Sequence, residues 1–515
     1  MFDQVWPPSQ GGPNKGALRK MDVFISGIGM TRFGKLPDSL EGMMSRAAAL
    51  ALKDADREAV DAIYIGVMNA EEFVGDSNFA VLLADTLGLT GVPSTRVETA
   101  SSTGAGAFEA AFYGVASGHL KHVLVLAGEK MAHLPTAKTT RILSEVIDRS
   151  ERRYGTTLPA LAAMVAQRYR RQYRLSIERL GEILAQVAVK NHHNGSLNPY
   201  AQFQREISRE DYFKSPMVSY PLHLYDCAPI TDGASAVVLT SEPTGIKVSG
   251  IGHATDTSAI RHRASLTSFN STKEAALRAY TMAQRNPSDI QFAEVHNAFT
   301  LFEIIGTEDL GFFPAGEGWK ALEEGKTRLS GSLPINPSGG LKSRGHLVGA
   351  SGLAQLVEMV WQLRGEAGQG RQLEKAEVGL AQSIGGIGNN TIVTILERTD
   401  QKRVLTEGWR PDYHPELKAL KKEIVPPPTN GTGILETFTL LHAMPEGFRS
   451  PLTLSLIQAK GGERVMACNP DYRNPRELKM GQKIHLSMRE GLYLFEKRST
   501  WEQLTSWWNK RNRVR

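Results

Sequence analysis

The chain has 515 residues, 41 % hydrophobic and 22 % charged, with a net charge of +6 and two cysteines, Cys227 and Cys468. That length and balance suit a soluble protein of several domains, and no apolar run reaches the roughly 18–20 residues of a membrane span. Two cysteines so far apart exclude a disulfide scaffold or a cysteine-based zinc cluster and fit a reducing cytoplasm. The positive charges are scattered, with no helix-turn-helix, zinc finger or aromatic-basic stripe, which argues against nucleic acid and leaves a phosphate-bearing ligand as a fitting partner.

In chain order, residues 1–20 form a Pro/Gly-containing leader with no apolar stretch, so no secretory signal is expected. Val23 to Gly29, VFISGIG, is a short apolar strand ending on a glycine turn. A helical stretch follows from Ser39 to Asp56, then an apolar strand from Ala62 to Gly66. A small-residue turn enters the helix ASSTGAGAFEAAFYGVASG, and the strand His122 to Gly128, HVLVLAG, comes next. Residues 130–220 turn helical and charged. ALAAMVAQRYRRQYR and IERLGEILAQVAVKNHHN predict surface helices with one apolar face, in an insertion placed to cover a pocket. DCAPITDGASAVVLTS closes this half on a buried strand.

The order then repeats. Ile246 to Gly252, IKVSGIG, nearly copies the first strand; the helix Ser271 to Asn286, the strand IQFAEVHNAF, the helix GHLVGASGLAQLVEMVWQLRG and the strand VGLAQSIGGIGNNTIVTIL follow in step. Four corresponding elements in order predict an internal duplication, and alternating strands and helices predict a parallel, doubly wound sheet. We place the halves at residues 21–245 and 246–399. Residues 400–430, with the proline triplet in VPPP, predict a linker. Short alternating runs from 431 to 502, parted by Gly and Pro turns, predict a small antiparallel barrel. Residues 503–515 form a basic tail with two tryptophans, read as a solvated end or a surface for a membrane or acidic partner.

These residues carry a resemblance. VETASSTGAGA at 97–107, AVKNHHNGSLNPYAQF at 188–203, DCAPITDGASAVVL at 226–239, EVHNAFT at 294–300, NPSGGLKSRGHLVGASG at 336–352 and AQSIGGIGNN at 381–390 resemble the motifs of thiolases, in order and spacing. The likeness is to the sterol-carrier-protein branch. It implies a duplicated α/β fold with mixed sheets, acyl-CoA as substrate or ligand, no further cofactor or metal, and a homodimer through the first-half sheet, with a monomer as the alternative. The C-terminal stretch resembles the OB-like domain that accompanies many acyl-CoA-handling relatives, here without the zinc ribbon that commonly precedes it.

A thiolase needs a thiolate at a helix N-terminus, a base to activate it, oxyanion donors and a second acid/base. The resemblance puts Ser101 in the nucleophile position, where it is either a serine nucleophile or simply a helix cap. It puts His346 in the position of the activating histidine, although Leu347 replaces the proline of the GHPxG turn. His296 falls in the oxyanion hole. The second acid/base position is Ser383 in one branch and Ala298 in the other, so neither carries a thiol. Cys227 and Cys468 read as small buried hydrophobes. Gly339, Gly340, Gly385, Gly386 and Gly388 keep turns that bring backbone N–H groups to a ligand. The expected function is therefore acyl-CoA binding with aldol-type cleavage or formation of a carbon–carbon bond, or serine-dependent acyl transfer, rather than ordinary thiolysis. The alternative is a non-catalytic acyl-CoA-binding scaffold.

Overall fold

The computed structural model describes residues 22–399, 430–444, 451–469, 472, 474–489 and 492–496. The expected leader, the tail and the linker up to residue 429 lie outside the described residues. The first half contributes β1 (Phe24–Met30), β2 (Ala62–Gly66), β3 (Ser94–Val97) and β4 (His122–Glu129). The insertion carries two short strands, β5 (Met217–Ser219) and β6 (Leu222–His223), before β7 (Gly233–Thr240) completes that half. The second half contributes β8 (Ile246–Thr255), β9 (Phe292–Glu294), β10 (Val378–Gly385) and β11 (Asn390–Arg398).

All of these strands except β5 and β6 form one nine-stranded sheet in the order β3-β2-β4-β7-β1-β8-β11-β10-β9. Outward from the central β1–β8 pair, the order β1-β7-β4-β2 on one side matches β8-β11-β10-β9 on the other, so the duplication seen in the sequence is the symmetry of the sheet. The β2–β3, β2–β4 and β9–β10 pairs are parallel. β7 and β11 instead run antiparallel to their neighbours, giving mixed sheets rather than the all-parallel ladder that alternation alone predicts. β11 has no choice: the turn from Gly385 to Asn390 is too short for a parallel crossover.

The repeated SGIG segments have a steric cause. A Cβ at Gly27 or Gly29 would lie 2.2 Å from the carbonyl oxygens of Ala51 or Ala47, in the helix Leu40–Asp54. At Gly250 and Gly252 it would lie 2.3 and 2.1 Å from Ala279 O and Ala275 O, in the helix Asn270–Ala283. Each outer helix therefore rests directly on strand backbone. On the inner side lie two buried helices, Thr103–Ala116 and Ser351–Arg364, in one apolar cluster with Val123, Val125 and Ala127 of β4, while Leu124 and Leu126 face the outer helix. The inner helices touch through glycine: a Cβ on Gly104 would meet Gly349 O at 2.8 Å and Leu353 N at 3.1 Å.

Five strands, β12 (Asn430–Leu441), β13 (Leu452–Ala459), β14 (Arg464–Asn469), β15 (Lys483–Arg489) and β16 (Leu492–Glu496), close into a barrel because β12 pairs with both β13 and β15. One pair, β14–β16, is parallel. The far end of β12 pairs with β5. This docking changes the insertion. The helix Leu158–Gln172, expected to show one apolar face, is buried from Ala160 through Gln167, because its second face lies under the barrel. Thr437 donates to Met164 O at 2.8 Å, and Leu441, Leu454, Leu456 and Met466 share a core with Leu161 and Leu184. Cys468 is buried in that core, and Cys227 is half-buried.

Candidate active site

Four loops meet beside the first turns of the two inner helices. The first, Glu98 to Ser102, is tightly wound: Ala100 takes the left-handed conformation at φ +55°, an uncommon state for a residue with a Cβ. Thr103 Oγ1 ties it off, donating to Ala100 O at 2.6 Å and accepting from Thr99 N at 2.9 Å. Asn390, from the β10–β11 turn, clamps it from the other half: its Oδ1 lies 2.6 Å from Ser102 Oγ, and its Nδ2 donates to Thr99 O at 3.2 Å. The N-cap of the helix is Ser102, so the cap reading of Ser101 fails by one residue; Ser102 itself makes no side-chain cap bond. Ser101 is 3 % exposed, and its hydroxyl has no hydrogen-bond partner among the described residues.

His296 follows β9 and is buried. Ile384 N donates to its Nδ1 at 3.2 Å; an amide N–H can only donate, so the neutral ring carries its proton on Nε2. His346 stands edge-on to it, with ring centroids 5.3 Å apart and planes at 90°. His346 Nδ1 lies 2.8 Å from Ser351 Oγ, and its amide donates to Thr231 Oγ1 at 3.1 Å. Burial, then the Arg344 charge, draws the His346 pKa down to about 3. Burial, His346 and Arg344 hold His296 well below the usual value. Both rings are neutral at pH 7.

Ser383, on β10, packs between the inner helices: its Oγ is 2.6 Å from where a Cβ on Gly352 would stand, and it has no hydrogen-bond partner among the described residues. The five glycines divide. Gly386 and Gly388 have left-handed φ of +63° and +78°, and their amides have no protein acceptor among the described residues. Gly385 keeps β10 close to the Ser101 turn, since a Cβ there would lie 2.6 Å from Thr99 O. Gly339 and Gly340 do not offer amides to a ligand. Their N–H groups donate to Asn336 O and Ser338 Oγ, and a Cβ on Gly340 would strike Asn297 Oδ1 at 2.5 Å. Gly340 thus lets Asn297 pack closely, while a Cβ on Gly339 would strike Gly195 at 2.7 Å.

Two contributors escaped the sequence reading. Asn390 stood in the motif AQSIGGIGNN, where only Ser383 and the glycines drew notice. Glu129 ends β4, fully buried, and accepts from Met68 N at 3.0 Å and from Gly349 N at 3.3 Å, bracing the turn that carries His346. Burial pushes its carboxyl up to about 8; a glutamate closing the apolar run HVLVLAG was the available signal. Outside the Thr99–Ala100 turn lies an open cavity of about 450 Å³, bordered also by Asn69, Glu145, His253 and Asn390. Chemically, the site offers a neutral imidazole N–H, two unengaged amides and a free hydroxyl, a set able to polarise a carbonyl. It offers no acidic thiol: burial pushes Cys227 up to about 12.

Residues 23–243 match the thiolase N-terminal domain, and residues 252–398 match the thiolase C-terminal domain-like family. An acetyl-CoA acetyltransferase of Methanothermobacter thermautotrophicus is 42 % identical over 389 residues, spanning 73 % of this chain and all of that protein. Sterol carrier protein 2 of Bos taurus is 34 % identical over 404 residues, spanning 73 % of this chain and 72 % of that protein. Among solved structures, a monomeric SCP2-thiolase-like protein type 1 from Mycobacterium smegmatis shares the fold with a TM-score of 0.71 at 17 % identity, over 93 % of this chain and 99 % of that one.

Proposed function

Because the chain belongs to the thiolase family, we propose that it binds acyl-CoA thioesters and makes or breaks a carbon–carbon bond by aldol-type chemistry. The observation that carries this reading is the edge-to-face pair of buried, neutral histidines, one of them bonded to Ile384 N on the strand that leads into the turn of Gly386 and Gly388. In the cleavage direction, a base removes the hydroxyl proton of a 3-hydroxyacyl thioester. The C2–C3 bond breaks, a carbonyl product leaves, and the thioester enolate is reprotonated at C2. His346 is the base, and the Nε2–H of His296 with the two amides stabilises the enolate oxygen. Ser101 bonds to neither imidazole, which favours this route over serine-dependent acyl transfer. With Ser101, Ser383 and Ala298 at the places where thiolases carry their reactive groups, ordinary thiolysis has neither a thiolate nor a proton donor.

The test is incubation with 3-hydroxyacyl- and 3-oxoacyl-CoA thioesters, followed by mass spectrometry. Cleavage of a 3-hydroxyacyl-CoA that His346→Ala and His296→Ala each abolish, and that Ser101→Ala leaves intact, is the expected result. Loss of cleavage in Ser101→Ala overturns the non-covalent route. A second reading, a non-catalytic acyl-CoA scaffold, draws on the same depressed imidazoles, since weak bases move protons slowly. Binding without turnover of any thioester selects it. The free edge of β3, partly exposed along its length, supports a homodimer through the first-half sheet; a monomeric mass in analytical ultracentrifugation overturns that. The closed five-stranded barrel supports the OB-like reading of the C-terminal domain.

A further inference from the structure

Behind the His296–Asn297 turn, the chain buries an amine that has no hydrogen-bond acceptor among the described residues. Lys342 lies in the short helix Gly340–Ser343 and is 2 % exposed. Its amide donates to Asn297 Oδ1 at 3.4 Å, which ties it to the residue after His296. Its Nζ makes no hydrogen bond and no ion pair among the described residues; it stands 5.7 Å from the centre of the Tyr225 ring and 6.0 Å from that of Phe203. Nearby Asp226 is already engaged by the hydroxyls of Thr300 and Tyr212 and the amide of His223. A buried ammonium without an acceptor is strongly disfavoured.

The same two rings hold a second unpaired group of the opposite kind. His192 is fully buried, stacked on Phe203 at 5.6 Å between centroids and edge-on to Tyr225 at 5.4 Å. Its Nδ1 lies 3.3 Å from Arg205 O. A carbonyl only accepts, so Nδ1 holds the proton and Nε2 presents a bare lone pair, which has no partner. Burial, then the charge on Lys342, draws this ring down to about 3, so it is neutral; burial draws Lys342 down to about 8, so it is still mainly cationic at pH 7.

A donor without an acceptor thus shares two aromatic walls with an acceptor without a donor. A carbonyl oxygen would satisfy Lys342 alone. A carboxylate would set its own lone pairs against His192 Nε2. A hydroxyl satisfies both, accepting from the ammonium and donating to the imidazole. We propose that Lys342 and His192 form a recognition pair for a hydroxyl group on the acyl portion of a thioester ligand, separate from the 3-hydroxyl whose proton His346 takes. This pair rests on the acyl-CoA reading above and adds to it the group that the acyl chain carries.

The experiment is titration calorimetry of 3-hydroxybutyryl-CoA, 4-hydroxybutyryl-CoA and butyryl-CoA into the wild-type chain, Lys342→Met and His192→Phe, with thermal melting to confirm folding. Wild type should bind 4-hydroxybutyryl-CoA about ten-fold or more tighter than butyryl-CoA, because a site built around a hydroxyl rejects the analogue lacking it. Both variants should bind all three thioesters within about two-fold of one another. If wild type binds butyryl-CoA as tightly as 4-hydroxybutyryl-CoA, water rather than ligand bridges the two side chains and the proposal is overturned, whether or not the variants fold. A preference that survives in a folded variant also overturns it. Failure of all three thioesters to bind removes the acyl-CoA reading and this pair with it, whereas equal binding removes the pair alone.

Discussion

Gly104→Ala should destabilise the protein although it improves a helix. In an exposed helix, this change adds about 0.8–1 kcal/mol of helix preference. At Gly104 the new methyl would stand 2.8 Å from Gly349 O, 3.1 Å from Leu353 N and 3.2 Å from the Ala127 methyl. Two of these neighbours are backbone atoms of the opposing turn and helix, so no rotamer change relieves the contact. Overpacking of this kind costs about 1–3 kcal/mol, and backbone neighbours place it at the upper end. The net loss is about 1–2 kcal/mol, a fall of about 1–2 °C in Tm for a chain of this size. Gly181→Ala is the control: there the new methyl meets only the far edge of the Phe213 ring at 3.3 Å. That variant should melt at or above wild type. Differential scanning fluorimetry of the two variants gives shifts of opposite sign. A Gly104→Ala protein that melts no lower than wild type would show that the inner helices are not in backbone contact. The same substitution pushes on the turn carrying His346, so its acyl-CoA affinity should fall as well.

What the sequence reveals about this fold and site follows from how local each requirement is. The twin SGIG segments were legible because a helix lying on strand backbone demands glycine at fixed positions, and both halves make that demand. His296, His346 and Ser101 were legible through motifs only a few residues long. The second buried face of the helix Leu158–Gln172 was not. Sequence periodicity weighs the large apolar residues, while small ones such as Ala163 and Ala166, which share a core with the barrel strands, read as neutral. The Asn390 clamp joins residues 288 apart, and the Lys342–His192 pair brings together two separate motifs through shared rings. No local pattern announces such partners. Gly339 and Gly340 misled for the converse reason: a glycine turn looks alike in sequence whether its amides face a ligand or, as here, Asn336 and Ser338.

The thiol chemistry can be tested directly: wild type should show no acetoacetyl-CoA thiolysis, since missing general acid–base catalysis alone costs about 10²–10⁴ in rate. Activity in the double variant Ser101→Cys, Ala298→Cys would show an intact thiolase frame, and ordinary turnover by wild type would refute the assignment. Leu456→Ala should remove about 2–5 kcal/mol, because this fully buried barrel side chain shares a core with the insertion. Hydrogen exchange should then quicken in the helix Leu158–Gln172 as well as in β13; protection unchanged in the helix would contradict the shared core. The pH dependence should carry the mark of Glu129. Burial raises its carboxyl from the usual 4.5 to about 8, so the folded chain keeps a proton that the unfolded chain releases near pH 4.5. Between those values the folded state binds more protons, so this residue makes stability fall as pH rises, and its effect levels off above pH 8. Glu129→Gln keeps an oxygen to accept from the Met68 and Gly349 amides but cannot ionise. Relative to wild type, the variant should gain stability between pH 5 and pH 8.5, by on the order of 3–5 kcal/mol. Denaturant unfolding at pH 5, 6.5 and 8.5 measures the difference. A gap that stays flat across that range would mean that Glu129 ionises in the fold as freely as it does in the open chain.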